Sequence, residues 1–234
     1  MNSIPVLKSK LIMPELSVSF FLTERLKKLH EEMDSYRAVT VCAPAGYGKT
    51  TLAVSYLNCH AAASSRVCWY RLDPEDKSLS VFVTHLGEAV FPLDTVEFAE
   101  SRKAFLNLSD IQSQPHHFIS VICHELWAHH NQAGNVRTYI VLDDFQNVAQ
   151  SQDICDMTRY MLDNLPPSCT IIVLSRSNLN IFTEKQKLEK RILEIDANNL
   201  VFNNAEIEKL MLSMGQTVTN RELTNIIEKI QKAG

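Results

Sequence analysis

The 234 residues are 45% hydrophobic and 21% charged, with a formal net charge of −4. A chain of that length buries a full core and holds at most one large domain plus part of another. The mildly acidic balance, with no run of five or six Lys or Arg, argues against a standing nucleic-acid surface.

The first 22 residues read as an extended arm, because Pro5 and Pro14 prevent a long helix. The arm is apolar in places, but Lys8, Lys10, Pro14 and Glu15 interrupt it, so it has no signal-peptide core. No segment approaches the length of a membrane span. The six cysteines, at 42, 59, 68, 123, 155 and 169, include no CxxC knuckle and have the pattern of buried, reduced thiols. A cytoplasmic protein is the expectation.

Thr23 begins a short helix with Leu22, Leu26, Leu29 and Met33 on one side. A strand at 38 to 43 leads into residues 43 to 51, APAGYGKTT, and then into the helix-forming stretch from Leu52 to Leu57. Strand, glycine loop and helix in that order are what a phosphate site needs. Gly46 and Gly48 let consecutive amides turn inward, and the loop hands its anion to a helix N-terminus. Lys49 is expected on the β- and γ-phosphates, Thr50 on Mg²⁺ and Thr51 near the α-phosphate, with Ala45, Gly46, Tyr47 and Gly48 forming the cradle.

A second strand runs from Arg66 to Leu72 and is ended by Asp73, Pro74, Glu75 and Asp76. A helix follows from about Leu79 to Val90. Residues 92 to 114 are the least legible, and Pro115 opens an amphipathic helix carrying Phe118, Ile119, Ile122, Leu126 and Trp127. Its apolar stripe reads as core. The histidines at 116, 117, 124, 129 and 130 lack ligand spacing, so no metal beyond nucleotide-bound magnesium is expected.

Tyr139 to Leu142 form a strand apolar enough to be buried on both faces, and it ends in Asp143 and Asp144. Ligands of open α/β sheets bind outside the carboxyl ends of strands, which places Asp143 to hold Mg²⁺ and Asp144 to orient or deprotonate water. Either aspartate could instead cap the next helix. A helix over about 151 to 164 and a strand at 170 to 174 follow. That strand delivers Arg176 to the same edge, where it could sense a γ-phosphate or simply form a surface salt bridge. Residues 192 to 195 and 200 to 202 read as a last extended region. Asn203 with Glu206 is then a capping signature opening a helical hairpin, whose second helix starts at Thr219 or Asn220.

Strand and helix alternation predicts an α/β fold: a P-loop NTPase core, three layers with a parallel sheet and helices on both faces. Its bounds are an arm over 1–22, a nucleotide-binding domain over 23–202 and the start of a helical subdomain over 203–234. The motifs KLIMPEL, TERLKKL, APAGYGKTTL, VCWYRLDPED, IVLDDFQNV, LPPSCTIIVLSRS and LVFNNAEIEKLM together resemble the STAND class of signal-transduction ATPases, specifically the MalT-like regulators of the LuxR group.

The resemblance implies an ATP-driven switch: ADP holds a closed monomer, while ATP and an inducer permit self-association, with slow hydrolysis resetting it. It assigns magnesium to Asp143 and γ-phosphate sensing to Arg176, and it suggests that Ile12, Met13, Pro14 and Arg25 line the adenine and ribose side. Such regulators continue into winged-helix, helical-repeat and helix-turn-helix modules. The chain therefore reads as a fragment, with DNA and inducer binding expected in modules absent from it. A turnover enzyme, either an AAA-type motor or a small-molecule kinase, is the competing reading, although neither an arginine-rich lid nor an arginine finger is legible.

Overall fold

The computed structural model describes residues 5–16, 22–60, 65–91, 115–133, 136–189 and 191–213. Five strands form one sheet in the order β2-β3-β4-β1-β5. They are β1 (Ala38–Cys42), β2 (Arg66–Arg71), β3 (Thr138–Asp143), β4 (Cys169–Ser175) and β5 (Ile192–Asp196). Every pairing is parallel. The described helices are α1 (Glu24–Met33), α2 (Lys49–His60), α3 (Leu79–Val90), α4 (Pro115–Ala133), α5 (Gln152–Asn164), α6 (Glu184–Leu188), α7 (Ala197–Leu200) and α8 (Asn204–Ser213).

Strand side chains alternate between two cores, as a period of two requires. Ala38, Cys68, Tyr70, Ile140, Leu142, Ile171 and Val173 join α3, α4 and α5 in one core. Val39, Val41, Trp69, Tyr139, Val141, Ile172 and Leu174 join α1 and α2 in the other. With helices on both faces, β3 and β4 are buried at every position, which explains why they read as unbroken apolar runs.

Pairing of Cys42 with both Ser175 and Asp196, and of Arg71 with Asp143, brings the carboxyl ends of all five strands to one edge. That edge carries the site.

Two expectations are corrected. Residues 200 to 202 do not continue an extended region. Asp196 caps α7 by accepting from Asn198 and Asn199, and this turns the chain back into a helix that ends at Leu200. Trp127 is not part of the core face of α4: it is 40% exposed, with its indole N–H donating to the Asn164 carbonyl at 2.9 Å. β2 ends at Arg71, just ahead of Asp73, Pro74, Glu75 and Asp76, as expected. Residues Pro74–Lys77 form a 3₁₀ turn capped by Asp73, and Asp76 is fully buried there.

The Asn203 capping signature is present in both directions, Asn203 N–H to Glu206 at 2.9 Å and Glu206 N–H to Asn203 Oδ1 at 2.9 Å. The second helix of the expected hairpin lies outside the described residues.

Candidate functional site

The loop between β1 and α2 turns on two left-handed glycines, Gly46 at φ 84° and Gly48 at φ 80°. No atom lies within 4 Å of where a Cβ would stand at either position, so conformation and not crowding requires glycine there. The first α2 hydrogen bond runs from Leu52 N–H to the Gly48 carbonyl at 2.7 Å. The amides before it are those an α-helix leaves without an intrahelical acceptor, and they open toward the loop.

Lys49 is buried at the base of this loop. Its ammonium donates to the backbone carbonyls of Ala43 at 2.7 Å and Pro44 at 2.9 Å. Burial, and then the charge of Arg176, hold its pKa below the ordinary lysine value, while Asp144 and Asp143 oppose the shift. A desolvated ammonium held by neutral carbonyls favours an arriving anion. Thr50 stands beside it with its hydroxyl 3.4 to 3.5 Å from the two oxygens of Asp143.

Asp143 is buried at the end of β3. Burial, reinforced by the neighbouring Asp144 charge, pushes its carboxyl up to about 6, against the amide of Asp144, the Thr50 hydroxyl and Lys49. Its Oδ1 accepts from the Asp144 amide at 2.9 Å. A hydroxyl and a carboxylate that converge in this way are the hard-oxygen donors a magnesium ion takes, with water and phosphate oxygens completing its shell. The fit therefore holds for a metal-bound phosphate.

Asp144 has φ 57°, the one non-glycine residue with positive φ among the described residues. It precedes the 3₁₀ turn Phe145–Asn147 without a side-chain cap bond, so the capping alternative is not what the structure adopts. The strained turn aims its carboxylate along the sheet edge. There Gln146 Nε2 donates to Oδ1 at 2.8 Å, and Arg176 Nη2 approaches the same oxygen at 3.5 Å. Arg176 emerges just beyond β4 with its side chain 57% exposed.

Of the remaining expected residues, Met13 and Tyr47 are half-buried and pack against the core on the α1 and α2 face, with Leu16 and Phe202. Pro14 is half-buried next to Met13, and Thr51 lies in the first turn of α2. Ala45 is exposed in the loop.

Arg25 is engaged elsewhere. Its guanidinium bonds both Glu206 oxygens at 3.1 Å, the Val201 carbonyl at 3.0 Å and the Asn199 carbonyl. This ties α1 to α7 and α8, a role no local pattern could reveal across 181 residues. A cavity of about 360 Å³ at the same edge lies beside the loop, against Thr40, Cys42, Asn178, Asn180, Lys187 and Asp196. Its walls include none of residues 43–51, so it is separate from the phosphate cradle.

Glycine loop, buried lysine, threonine and strand-end aspartate, on a parallel sheet with helices on both faces, define a P-loop NTPase fold. Solved structures that share it include the following two. One is a Walker-type ATPase of Pyrococcus abyssi, with a TM-score of 0.51 and 14% identity, covering 90% of this chain and 63% of that one. The other is a Signal Transduction ATPase with Numerous Domains (STAND) protein with a tetratricopeptide repeat sensor from Pyrococcus horikoshii, with a TM-score of 0.52 and 13% identity, covering 94% of this chain and 28% of that one.

The chain belongs to the family described as Nephrocystin 3, N-terminal, whose model matches residues 18–176. It is also similar to the HTH-type transcriptional regulators MalT of Yersinia pestis (strain Pestoides F) and Yersinia pseudotuberculosis serotype O:3 (strain YPIII), at 28% identity over 207 residues in each case. These alignments cover 87% of this chain and 21% of each regulator, so the chain spans about a fifth of the length of the curated relatives it matches. No described helix is long and apolar enough to cross a membrane.

Proposed function

We propose that this domain is an adenine-nucleotide switch of the STAND type, binding ATP or ADP with Mg²⁺ and hydrolysing ATP slowly if at all. One observation carries the reading. Lys49 is buried, bonded to backbone carbonyls and not to a carboxylate, at the mouth of a helix N-terminus where Thr50 and Asp143 converge.

In this reading the amides of 45–51 and Lys49 hold the phosphates, and Thr50 and Asp143 hold the magnesium, whose bound charge would favour the ionised Asp143 carboxylate. Asp144 orients water and Arg176 meets the γ-phosphate. Met13 and Pro14 line the base side, and Arg25 steadies that side through its tie to α8. In the same reading the nucleotide-binding domain comprises residues 23–202 after an arm over 1–22, and a helical subdomain starts at 203. In a longer regulator of this type the nucleotide would govern self-association, and DNA binding would reside in a helix-turn-helix module outside residues 1–234. A cytoplasmic setting fits that role.

The test is calorimetric titration of nucleotide-stripped protein with ATP, ADP and GTP, with and without Mg²⁺, alongside a steady-state hydrolysis assay. Adenine-selective binding with turnover far below about 1 per second is the expected result. Turnover in the kinase range, roughly 1 to 100 per second, would replace the switch with an enzyme.

A further inference from the structure

We propose that Gln146 is a positioning residue that couples Arg176 to Asp144 and so sets the preference between ATP and ADP; this rests on the switch reading above. Gln146 is half-buried in the turn after β3. Its Nε2 donates to Asp144 Oδ1 at 2.8 Å, and its Oε1 accepts the backbone N–H of Arg176 at 3.0 Å. Only one orientation of the amide satisfies both partners, since the carboxylate cannot donate and the backbone N–H cannot accept. One side chain thus ties the turn carrying the acid to the first residue beyond β4, across two neighbouring strands.

The second link between the same residues is much looser. The Arg176 guanidinium stands 3.5 Å from Asp144 Oδ1 and its side chain is largely exposed, a contact of the kind that contributes little in water. The backbone of Arg176 is therefore fixed while its guanidinium is free to exchange one anion for another. A γ-phosphate, with more charge and more acceptor oxygens than Asp144 Oδ1, would take the guanidinium away. Gln146 would then keep the Asp144 carboxylate aimed in the direction the left-handed backbone sets. ADP offers no group for that exchange. The discrimination depends on Arg176 starting from a defined place, and Gln146 supplies it.

The experiment measures ATP and ADP affinities by calorimetry for the wild-type protein, Gln146→Met, Arg176→Ala and the double variant. Gln146→Met keeps the length and removes both hydrogen bonds. It is expected to narrow the ATP-to-ADP ratio about fivefold, the worth of roughly one hydrogen bond, with ADP affinity unchanged. The double variant should match Arg176→Ala alone.

A merely structural glutamine would weaken both nucleotides alike or lower the melting temperature without moving the ratio, and that outcome overturns the proposal. Additive effects in the double variant overturn it as well. If Gln146→Met does not fold, Gln146→Glu retains the shape and the acceptor for the Arg176 amide but replaces the donor with a repelling carboxylate, and it too must narrow the ratio. Wild-type protein that binds neither nucleotide overturns the switch reading itself. Unchanged ratios in a wild-type background that binds both overturn only the role of Gln146.

Discussion

Two buried lysines sit at the carboxyl edge of this sheet in opposite circumstances. Lys10, brought in by the arm, reaches both oxygens of the fully buried Asp76 at 2.9 and 3.0 Å and Asp73 at 2.6 Å. Tyr70 donates to Asp76 at 2.7 Å and the Asp73 amide at 2.7 Å. Burial pulls the Lys10 ammonium down, but the hydrogen bonds and charges of the two aspartates outweigh it and hold its pKa above the ordinary value.

Lys49 lies near two aspartates as well, yet it bonds only carbonyls, and its pKa is held down. Where every charge has a partner, the cluster holds the arm to the sheet. Where the lysine bonds only neutral carbonyls and an aspartate is pushed to about 6, the arrangement favours an anion and a cation from outside, as sites tuned for function do.

The sharpest way to break the contrast is Lys10→Met. It leaves Asp76 buried and uncompensated, and denaturation should show a loss of about 3 to 5 kcal/mol. Nucleotide affinity measured where the variant is folded should fall far less than in Lys49→Ala, because only the base-side contacts of Met13 and Pro14 depend on the arm. A fall as large as that of Lys49→Ala would mean that the two lysines are not separable.

His30 gives a third buried base for comparison. Burial, and then the charge of His60, depress its pKa from 6.5 to about 4, opposed by Asp34. The unfolded chain therefore binds the proton first, so stability is fully present above about pH 6.5 and is lost as pH falls toward 4. The loss reaches about 3 kcal/mol across that window. Urea unfolding at pH 7, 5.5 and 4.5 should show the slope, and His30→Phe should flatten it.

Lys49→Ala removes a charge-assisted contact worth roughly 1.5 to 3 kcal/mol, so nucleotide affinity should drop about tenfold to a hundredfold or more. Stability should hold or rise, because a desolvated charge is gone. Last in size, Arg176→Ala should narrow the ATP-to-ADP preference without moving the unfolding midpoint, since the side chain is largely exposed. Equal losses for both nucleotides would remove it from γ-phosphate sensing.

Much of the edge was legible because its signals are local. Four apolar residues before Asp143, two glycines before Lys49 and a β-branched run before Arg176 state their own geometry within a few positions. The signals that failed are long-range or depend on side-chain direction. Asp73 and Asp76 read only as a strand terminator, because their partner Lys10 is 66 residues from Asp76. Nothing near Arg25 announces its pairing with Glu206, 181 residues away. Residues 200 to 202 are apolar enough for a strand, and the capping carboxylate of Asp196 overrode them. Trp127 fits a helical stripe by spacing, but its indole N–H finds an acceptor only at the surface. Gln146 carries no motif of its own and became visible only once the turn after β3 and the residue after β4 were side by side.

The most direct test is a side-by-side titration of Mg·ATP into the wild-type protein and Lys49→Ala. The account predicts saturable binding by the wild type and a loss of about tenfold to a hundredfold or more in the variant. Equal affinities, or no binding by the wild type, would contradict the claim that Lys49 is held for a phosphate.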